Sequence, residues 1–323
     1  MKELNTERLQ YYFKKSLDFI NSFYPFIIGV IIFMYNFHIF VGNYSPGYKL
    51  ITLIYPVIFL TAYKDVRKDV RWISFILLVI PLFLFVSYIN KHGYAFWGSV
   101  LQWEAKMKIV FNLNPIFDGI PFNDASFARI YQSDNLTWFM RLVYNNGFTL
   151  CTMICIFRSA ICKDIKKMLK YMCSAHVFQI FLISPFYVIF HLQEVWFVHG
   201  QPDMLLRHYS YKQAYGSTLN CFPSMHTSIA FAAFLLLLRE KNKIFKTFWG
   251  FFCLSVIYST MYLKIHWTID VLGGLILAFC SVKLTDFVFA KLQPKLQPLI
   301  DKYYYRNSSK DISNSKSVSN LIQ

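Results

Sequence analysis

The chain has 323 residues, of which 56% are apolar, 20% aromatic and only 15% charged. A soluble domain carries nearer 25% charged residues, so this composition excludes a water-soluble globular protein and points to a bilayer. The formal net charge of +16 does not make it a nucleic-acid binder: the basic residues are dispersed over short loops rather than gathered on one soluble face.

Taken in chain order, a polar, amphipathic stretch of 23 residues comes first. It is followed by apolar runs at Tyr24–Val41, Leu50–Tyr63, Trp72–Ile89, Leu136–Phe157, Met172–Leu192, Ser224–Leu238, Ile244–Leu263 and Thr268–Val282. Each approaches the roughly 20 residues needed to cross a bilayer core, the second being the shortest. The fold class expected is all-α, a polytopic membrane helix bundle of about eight transmembrane helices. The first run lacks a small-residue cleavage site and reads as a retained anchor, not a removable signal. Residues 1–134 are read as N-terminal membrane helices with an interfacial segment, 135–290 as a catalytic membrane core, and 291–323 as a polar cytoplasmic tail.

Charge sets the expected orientation, since short loops rich in Lys and Arg stay in the cytoplasm. With both termini inside, segments 1–23, 64–71, 158–170, 239–246 and 283 onward hold 24 of the 33 basic residues. The stretch 90–135, rich in aromatics and turn residues, then lies outside, as interfacial pieces. Trp97, Trp103, Trp138, Trp196 and Trp267 are read as interfacial anchors. Of the seven cysteines only Cys221 lies on the outer side, so no intrachain disulfide is expected there, and no spacing indicates a zinc site.

Two polar islands open the last apolar stretches: Cys221-Phe222-Pro223-Ser224-Met225-His226 and His266-Trp267-Thr268-Ile269-Asp270. Four residues separate His266 from Asp270, a spacing that brings side chains together on a helix. A carboxylate on one ring nitrogen fixes the tautomer and directs the other lone pair outward, which prepares an imidazole to act as nucleophile or base. Pro223 suits the first helical position, leaving amides near Ser224 and Met225 for an anion. His226, one turn in, is in position to protonate a departing oxygen. An ionisable Asp270 at the mouth of an apolar helix is expensive and marks function, whereas isolated histidines such as His38, His191 and His199 read as interfacial residues. The chemistry asks for no metal and no cofactor.

These residues resemble the type 2 phosphatidic acid phosphatase superfamily. Its Pro-Ser-x-His motif is matched by Pro223, Ser224 and His226, and its His-x-x-x-Asp motif by His266 and Asp270. The string from Thr260 to Gly274 looks most like the branch containing the fungal inositol phosphorylceramide synthase catalytic subunit. The resemblance implies a phosphohistidine on His266, with Asp270 orienting it, His226 as acid and Ser224 holding a phosphoryl oxygen. The partners implied are a membrane lipid substrate and a lipid or alcohol acceptor, or water. Where the superfamily has Ser-Arg this chain has Ser259-Thr260, and its lysine-then-Arg-Pro motif is absent. Other cations are therefore expected to bind phosphate: Lys264, placed on the helical face of Thr260, then Arg141, Arg207 and Lys212. Lys264 has a plainer reading as a side chain snorkelling to the interface. Losing two guanidinium groups favours a phosphodiester head group over a monoester and so favours transfer between lipids. A lipid monoester phosphatase and a non-catalytic transporter are the competing expectations.

Overall fold

The computed structural model describes residues 2–104, 111–219 and 221–305. Helices account for most of it: α1 (Lys2–Tyr35), α2 (Phe37–Val41), α3 (Pro46–Ala62), α4 (Trp72–Glu104), α5 (Asn114–Asp118), α6 (Asp134–Ile161), α7 (Ile165–Met172), α8 (Phe178–Ile189), α9 (Val195–Val198), α10 (Tyr211–Ser217), α11 (Met225–Leu237), α12 (Lys243–Tyr262) and α13 (Thr268–Tyr303). A π-helical turn over Cys173–Val177 joins α7 to α8. A two-residue strand β1 (Phe111–Asn112) pairs in parallel with β2 (Phe190–His191).

Every apolar run read from the sequence is helical over most of its length, although Met172–Leu192 ends in β2. Among the described residues four helical stretches are long and apolar enough to cross a membrane: Tyr11–Tyr35, Ile165–Ile189, Lys243–Tyr262 and Thr268–Tyr303. They make the chain an integral membrane protein. Trp72–Phe85 and Met225–Leu237 are apolar but shorter. Helix boundaries overrun the apolar ones. α1 begins at Lys2, inside the polar stretch; α4 continues fifteen residues past Ile89; and α13 runs through Pro294 and Pro298 to Tyr303. Hydropathy marks only the segment inside lipid, while the backbone ladder continues into polar sequence. The 291–323 tail therefore begins as helix, and residues 306–323 lie outside the described residues.

The described residues form two compact units, one drawn from 2–84, 157–165 and 290–305, the other from 85–104, 111–156, 166–219 and 221–289. In the first, α1 lies against α3, where a Cβ on Gly29 would meet Leu60 at 3.0 Å. Its polar centre is Lys163, fully buried, with Nζ 2.6 Å from Asn21 Oδ1 and 4.5 Å over the Trp72 ring. Burial of an ammonium is tolerated only with such compensation. Arg158 donates to Asp65 in the same unit.

The second unit holds both islands. α11 and α12 pack closely because α11 presents Ala230, Ala232 and Ala233, all fully buried. α6 meets α12 at Gly147, where a Cβ would stand 2.3 Å from Val256, and Trp249 Nε1 donates to the Cys151 carbonyl at 3.2 Å. Gln179 on α8 bonds the Ser174 carbonyl at 3.1 Å and also engages Ser228 on α11. Ser281 on α13 reaches the same Ser174 carbonyl at 2.6 Å. At the end of these helices remote from the islands, Asp286 pairs with both Lys170 and Arg239 at 2.8 Å, and Lys167 pairs with Glu240 at 2.6 Å. Asp286 lies sixteen residues beyond Asp270 on α13, about 24 Å at 1.5 Å per residue, a distance close to the thickness of a hydrocarbon core.

Candidate functional site

The first island enters α11 through a cis peptide between Phe222 and Pro223. Ser224, not Pro223, makes the helix junction. It is the N-cap, its Oγ accepting from the Thr227 N–H at 3.3 Å and donating to Thr227 Oγ1 at 2.9 Å. A serine satisfies a first-turn amide as proline cannot, so Pro223 falls one position ahead of the cap instead of at the first helical residue. The Ser224 N–H is taken by the Asp270 carbonyl at 3.0 Å. Ser224 is fully buried, and its hydroxyl serves the cap, which leaves the phosphate-holding role expected of it without a free donor in this arrangement. Tyr187 OH donates to the Pro223 carbonyl at 3.1 Å and fixes the turn from α8.

The second island sits in the turn between α12 and α13. After Tyr262 the chain closes on itself, with the N–H groups of Ile265 and His266 both donating to the Thr260 carbonyl at 3.1 Å. α13 starts only at Thr268, so His266 precedes the helix that carries Asp270. The expected contact forms nonetheless: His266 Nδ1 lies 3.1 Å from Asp270 Oδ2, with Asp270 fully buried and His266 nearly so. Asn123, from the segment between α4 and α6, caps α13. Its carbonyl accepts from Thr268 N–H at 2.7 Å and its Oδ1 from Ile269 N–H at 3.0 Å. Asn123→Ala should lower the melting temperature of detergent-solubilised protein by a few degrees, corresponding to about 1 kcal/mol for a lost cap. Unchanged thermal unfolding would refute that role.

The islands converge. The rings of His226 and His266 are 6.2 Å apart, inclined at 53°. Close approach of α13 to α11 depends on its two glycines. A Cβ on Gly274 would stand 2.6 Å from the Ser224 carbonyl oxygen, and one on Gly273 would stand 3.1 Å from Pro223. From α6, Tyr144 stacks on His226 at 4.3 Å and 14°, and Phe148 lies 4.9 Å away at 54°. Sequence reasoning missed both rings; the available signal was the spacing of Arg141, Tyr144 and Phe148 along one face of a helix.

The four cations expected to serve phosphate are differently placed. Lys264 is not on a helical face, because α12 has ended and Lys264 takes φ +58°. Its ammonium pKa is lowered by burial and by the nearby Arg129, with Asp124 partly offsetting. Arg207 is held by two carboxylates, bonding Glu194 at 3.1 Å and Asp203 at 2.7 Å. Burial alone would lower its pKa, but those bonds to Glu194 and Asp203 prevail and raise it, so its charge is permanent and already matched. Lys212 is exposed on α10. Arg141, half-buried on α6, donates through Nε to the Met204 carbonyl, a neutral partner, and no carboxylate among the described residues pairs with it. It stands one turn before Tyr144.

The anchoring tryptophans divide. Trp267 is fully buried, its Nε1 donating to the Gln193 carbonyl at 2.8 Å and its ring edge-on to Phe117 and His199; it is a core residue under the site, not an interfacial anchor. Trp196 is partly buried beside Arg207, with its ring 5.7 Å from the guanidinium, and Trp138 is exposed. The side chains of Trp97 and Trp103 lie outside the described residues. His199 is paired with Asp118 at 2.8 Å. One grouping was invisible to spacing rules: donor atoms of Cys221, His266 and Asp270 all lie within 4.8 Å of one another.

Residues 180–293 match the PAP2 superfamily, and the matched stretch contains both islands. That match supports the superfamily and, with it, a phosphatase- or phosphotransferase-type function on lipid phosphates. No curated protein and no solved structure matches the chain.

Proposed function

We propose that this chain is a membrane phosphotransferase that passes a phosphorylated head group from a donor lipid to an acceptor hydroxyl through a phosphohistidine on His266. The observation that carries the reading is the pair of imidazoles 6.2 Å apart with Nδ1 of one held by a buried carboxylate. With Nδ1 engaged by Asp270, the lone pair of His266 Nε2 is the one left to attack phosphorus. The P–O bond to the leaving alkoxide breaks as His226 supplies a proton. The acceptor hydroxyl then attacks the phosphohistidine, breaking the P–N bond and returning its proton to His226. Tyr144 and Phe148, packed on His226, fix the acid's orientation. No step calls for a metal or cofactor.

The likeness of 260–274 to the fungal inositol phosphorylceramide synthase branch favours a phosphodiester head group and a lipid acceptor. So does the shortage of free cations: Arg207 is neutralised by Glu194 and Asp203, and the Arg-Pro motif is missing. In the same reading, all eight apolar helices cross the bilayer, both termini are cytoplasmic, and the histidines face the extracytoplasmic or lumenal side. The Lys170, Arg239 and Lys167 ion pairs, about 24 Å along the bundle from Asp270, suit the opposite, cytoplasmic face. Hydrolysis of a lipid monoester is the second reading, favoured by the match to a superfamily whose members include phosphatases.

The deciding experiment incubates detergent-purified protein with labelled phospholipids and prenyl phosphates, with and without a ceramide or glycolipid acceptor. Transfer gives an acceptor-dependent labelled lipid; release of inorganic phosphate alone overturns transfer in favour of hydrolysis. Arg141 is assigned to the phosphate. Arg141→Ala should lower kcat/KM by about 10²-fold, the scale of a lost charge-assisted contact to a transferring group, while Arg141→Lys recovers part of it. Equal activity of wild type and Arg141→Ala would remove Arg141 from the site.

A further inference from the structure

Cys221 opens the first island, and its position invites a reading separate from the reaction. It is 2% exposed, with Sγ 3.6 Å from the Thr218 carbonyl and 3.7 Å from that of Ile265. Neither motif that carries the family resemblance contains a cysteine, and the reaction proposed above gives this thiol no role. Folding brings its sulfur, a His266 ring nitrogen and an Asp270 carboxylate oxygen within 4.8 Å of one another. A second observation concerns the carboxylate. Oδ2 of Asp270 is engaged by His266, but Oδ1 is buried with no hydrogen-bond partner among the described residues, although the amides of Trp267 and Val271 lie near the group. A buried carboxylate oxygen left with an unused lone pair calls for an explanation.

We propose that Cys221, His266 and Asp270 form an inhibitory binding site for a thiophilic divalent cation of the Zn²⁺ class. One sulfur, one imidazole nitrogen and one carboxylate oxygen is a donor set for Zn²⁺ and its chemical relatives, whereas Mg²⁺ and Ca²⁺ select oxygen ligands. Zinc–sulfur bonds of about 2.3 Å and zinc–nitrogen or zinc–oxygen bonds of about 2.0–2.2 Å place tetrahedral donors about 3.3–3.7 Å apart. From 4.8 Å, the donors close by about 1 Å, a side-chain adjustment with no helix displaced. Binding releases the thiol proton to solvent and converts Cys221 to the thiolate.

Inhibition follows from either mode of ligation, and this step rests on His266 being the nucleophile. A cation on Nε2 occupies the attacking lone pair. A cation on Nδ1 takes the place of the proton shared with Asp270, which moves to Nε2 as the other tautomer, so that lone pair is again lost. Asp270, its charge spent on the metal, no longer orients the ring.

The test uses the full chain in detergent with two readouts. Titration with Co²⁺ should produce a thiolate-to-cobalt charge-transfer band in wild type that is missing in Cys221→Ser and Cys221→Ala. In the lipid assay, micromolar Zn²⁺ should inhibit wild type at least about tenfold, with recovery on adding a chelator. Both cysteine variants should need at least about tenfold more Zn²⁺ for the same inhibition. Matching thermal unfolding of wild type and variants establishes that the fold is retained; the alanine variant serves if the serine variant fails to accumulate. Absence of the cobalt band in wild type, equal Zn²⁺ sensitivity in all three proteins, or stimulation by Zn²⁺ overturns the proposal. The cobalt band does not depend on turnover, so a failure of the His266 reading, seen as an active His266→Ala enzyme, is distinguishable from a failure of the metal site.

Discussion

Replacing His266 with alanine should lower turnover by about 10⁴-fold or more, the scale on which removal of a nucleophile acts when the rest of a site survives. The ring is nearly buried, and Asp270 holds it at 3.1 Å, so its loss removes both the nucleophile and the partner of the carboxylate. The companion variant Asp270→Asn keeps the shape and removes the charge. Its loss should fall between about 10² and 10⁴, as for an orienting carboxylate whose removal permits the wrong tautomer. Rapid quench with a donor labelled at phosphorus should trap an acid-labile, alkali-stable phosphoprotein in wild type and none in His266→Ala. Full activity of His266→Ala would end the catalytic reading and leave a transporter or other membrane partner in its place.

Gly274→Ala should also be damaging, although the residue has no chemistry. An added Cβ meets the Ser224 carbonyl oxygen at 2.6 Å and Thr227 at 3.0 Å, both on the helix that positions His226. Backbone cannot rotate away as a side chain can, so α13 must move off α11. Overpacking of this kind costs about 1–3 kcal/mol. The larger effect is on rate, since displacing reacting groups by about 1 Å can cost on the order of 10²-fold. The measurements are kcat and thermal unfolding in detergent. A variant with unchanged kcat would show that the separation of the two imidazoles is not set by this contact. Gly250 is the control: a Cβ there meets only the edge of Phe234 at 3.4 Å, and Gly250→Ala should leave kcat within about twofold, an ordinary contact with no strain.

The convergence of the two islands was legible because each carries its own helix start and each lies at the same end of its apolar run. Charge patterning also separated the two ends of the bundle: Lys167, Lys170 and Arg239 lie together, remote from the histidines, in acid-paired clusters. What the sequence concealed has physical causes. Helical periodicity extended past Tyr262 puts Lys264 on the face of Thr260, and nothing in a lysine announces the left-handed turn it adopts; glycine is the usual residue there. Tyr144 and Phe148 look like any aromatic residue in a lipid-facing span, and only the fold shows that they stack on His226. Trp267 was assigned to the interface by its residue type, yet its indole N–H is satisfied by the Gln193 carbonyl and its ring is enclosed. Arg207 is expected from the sequence to bind phosphate, yet its partners Asp203 and Glu194 stand four and thirteen positions away, the second beyond any local rule.

The brace that Asn123 applies to the first turn of α13 bears on where a working catalyst begins. The stretch with family likeness starts at residue 180, but the cap on the Asp270 helix comes from 123, the ring on His226 from 144 and the uncancelled guanidinium from 141. Asn114 further ties that upstream segment to Gln193 through reciprocal bonds of 3.0 and 2.9 Å. A fragment cut to the recognisable motifs would carry every reacting atom and still be unable to aim them. The portion with no recognised kinship is thus the jig in which the familiar portion is held.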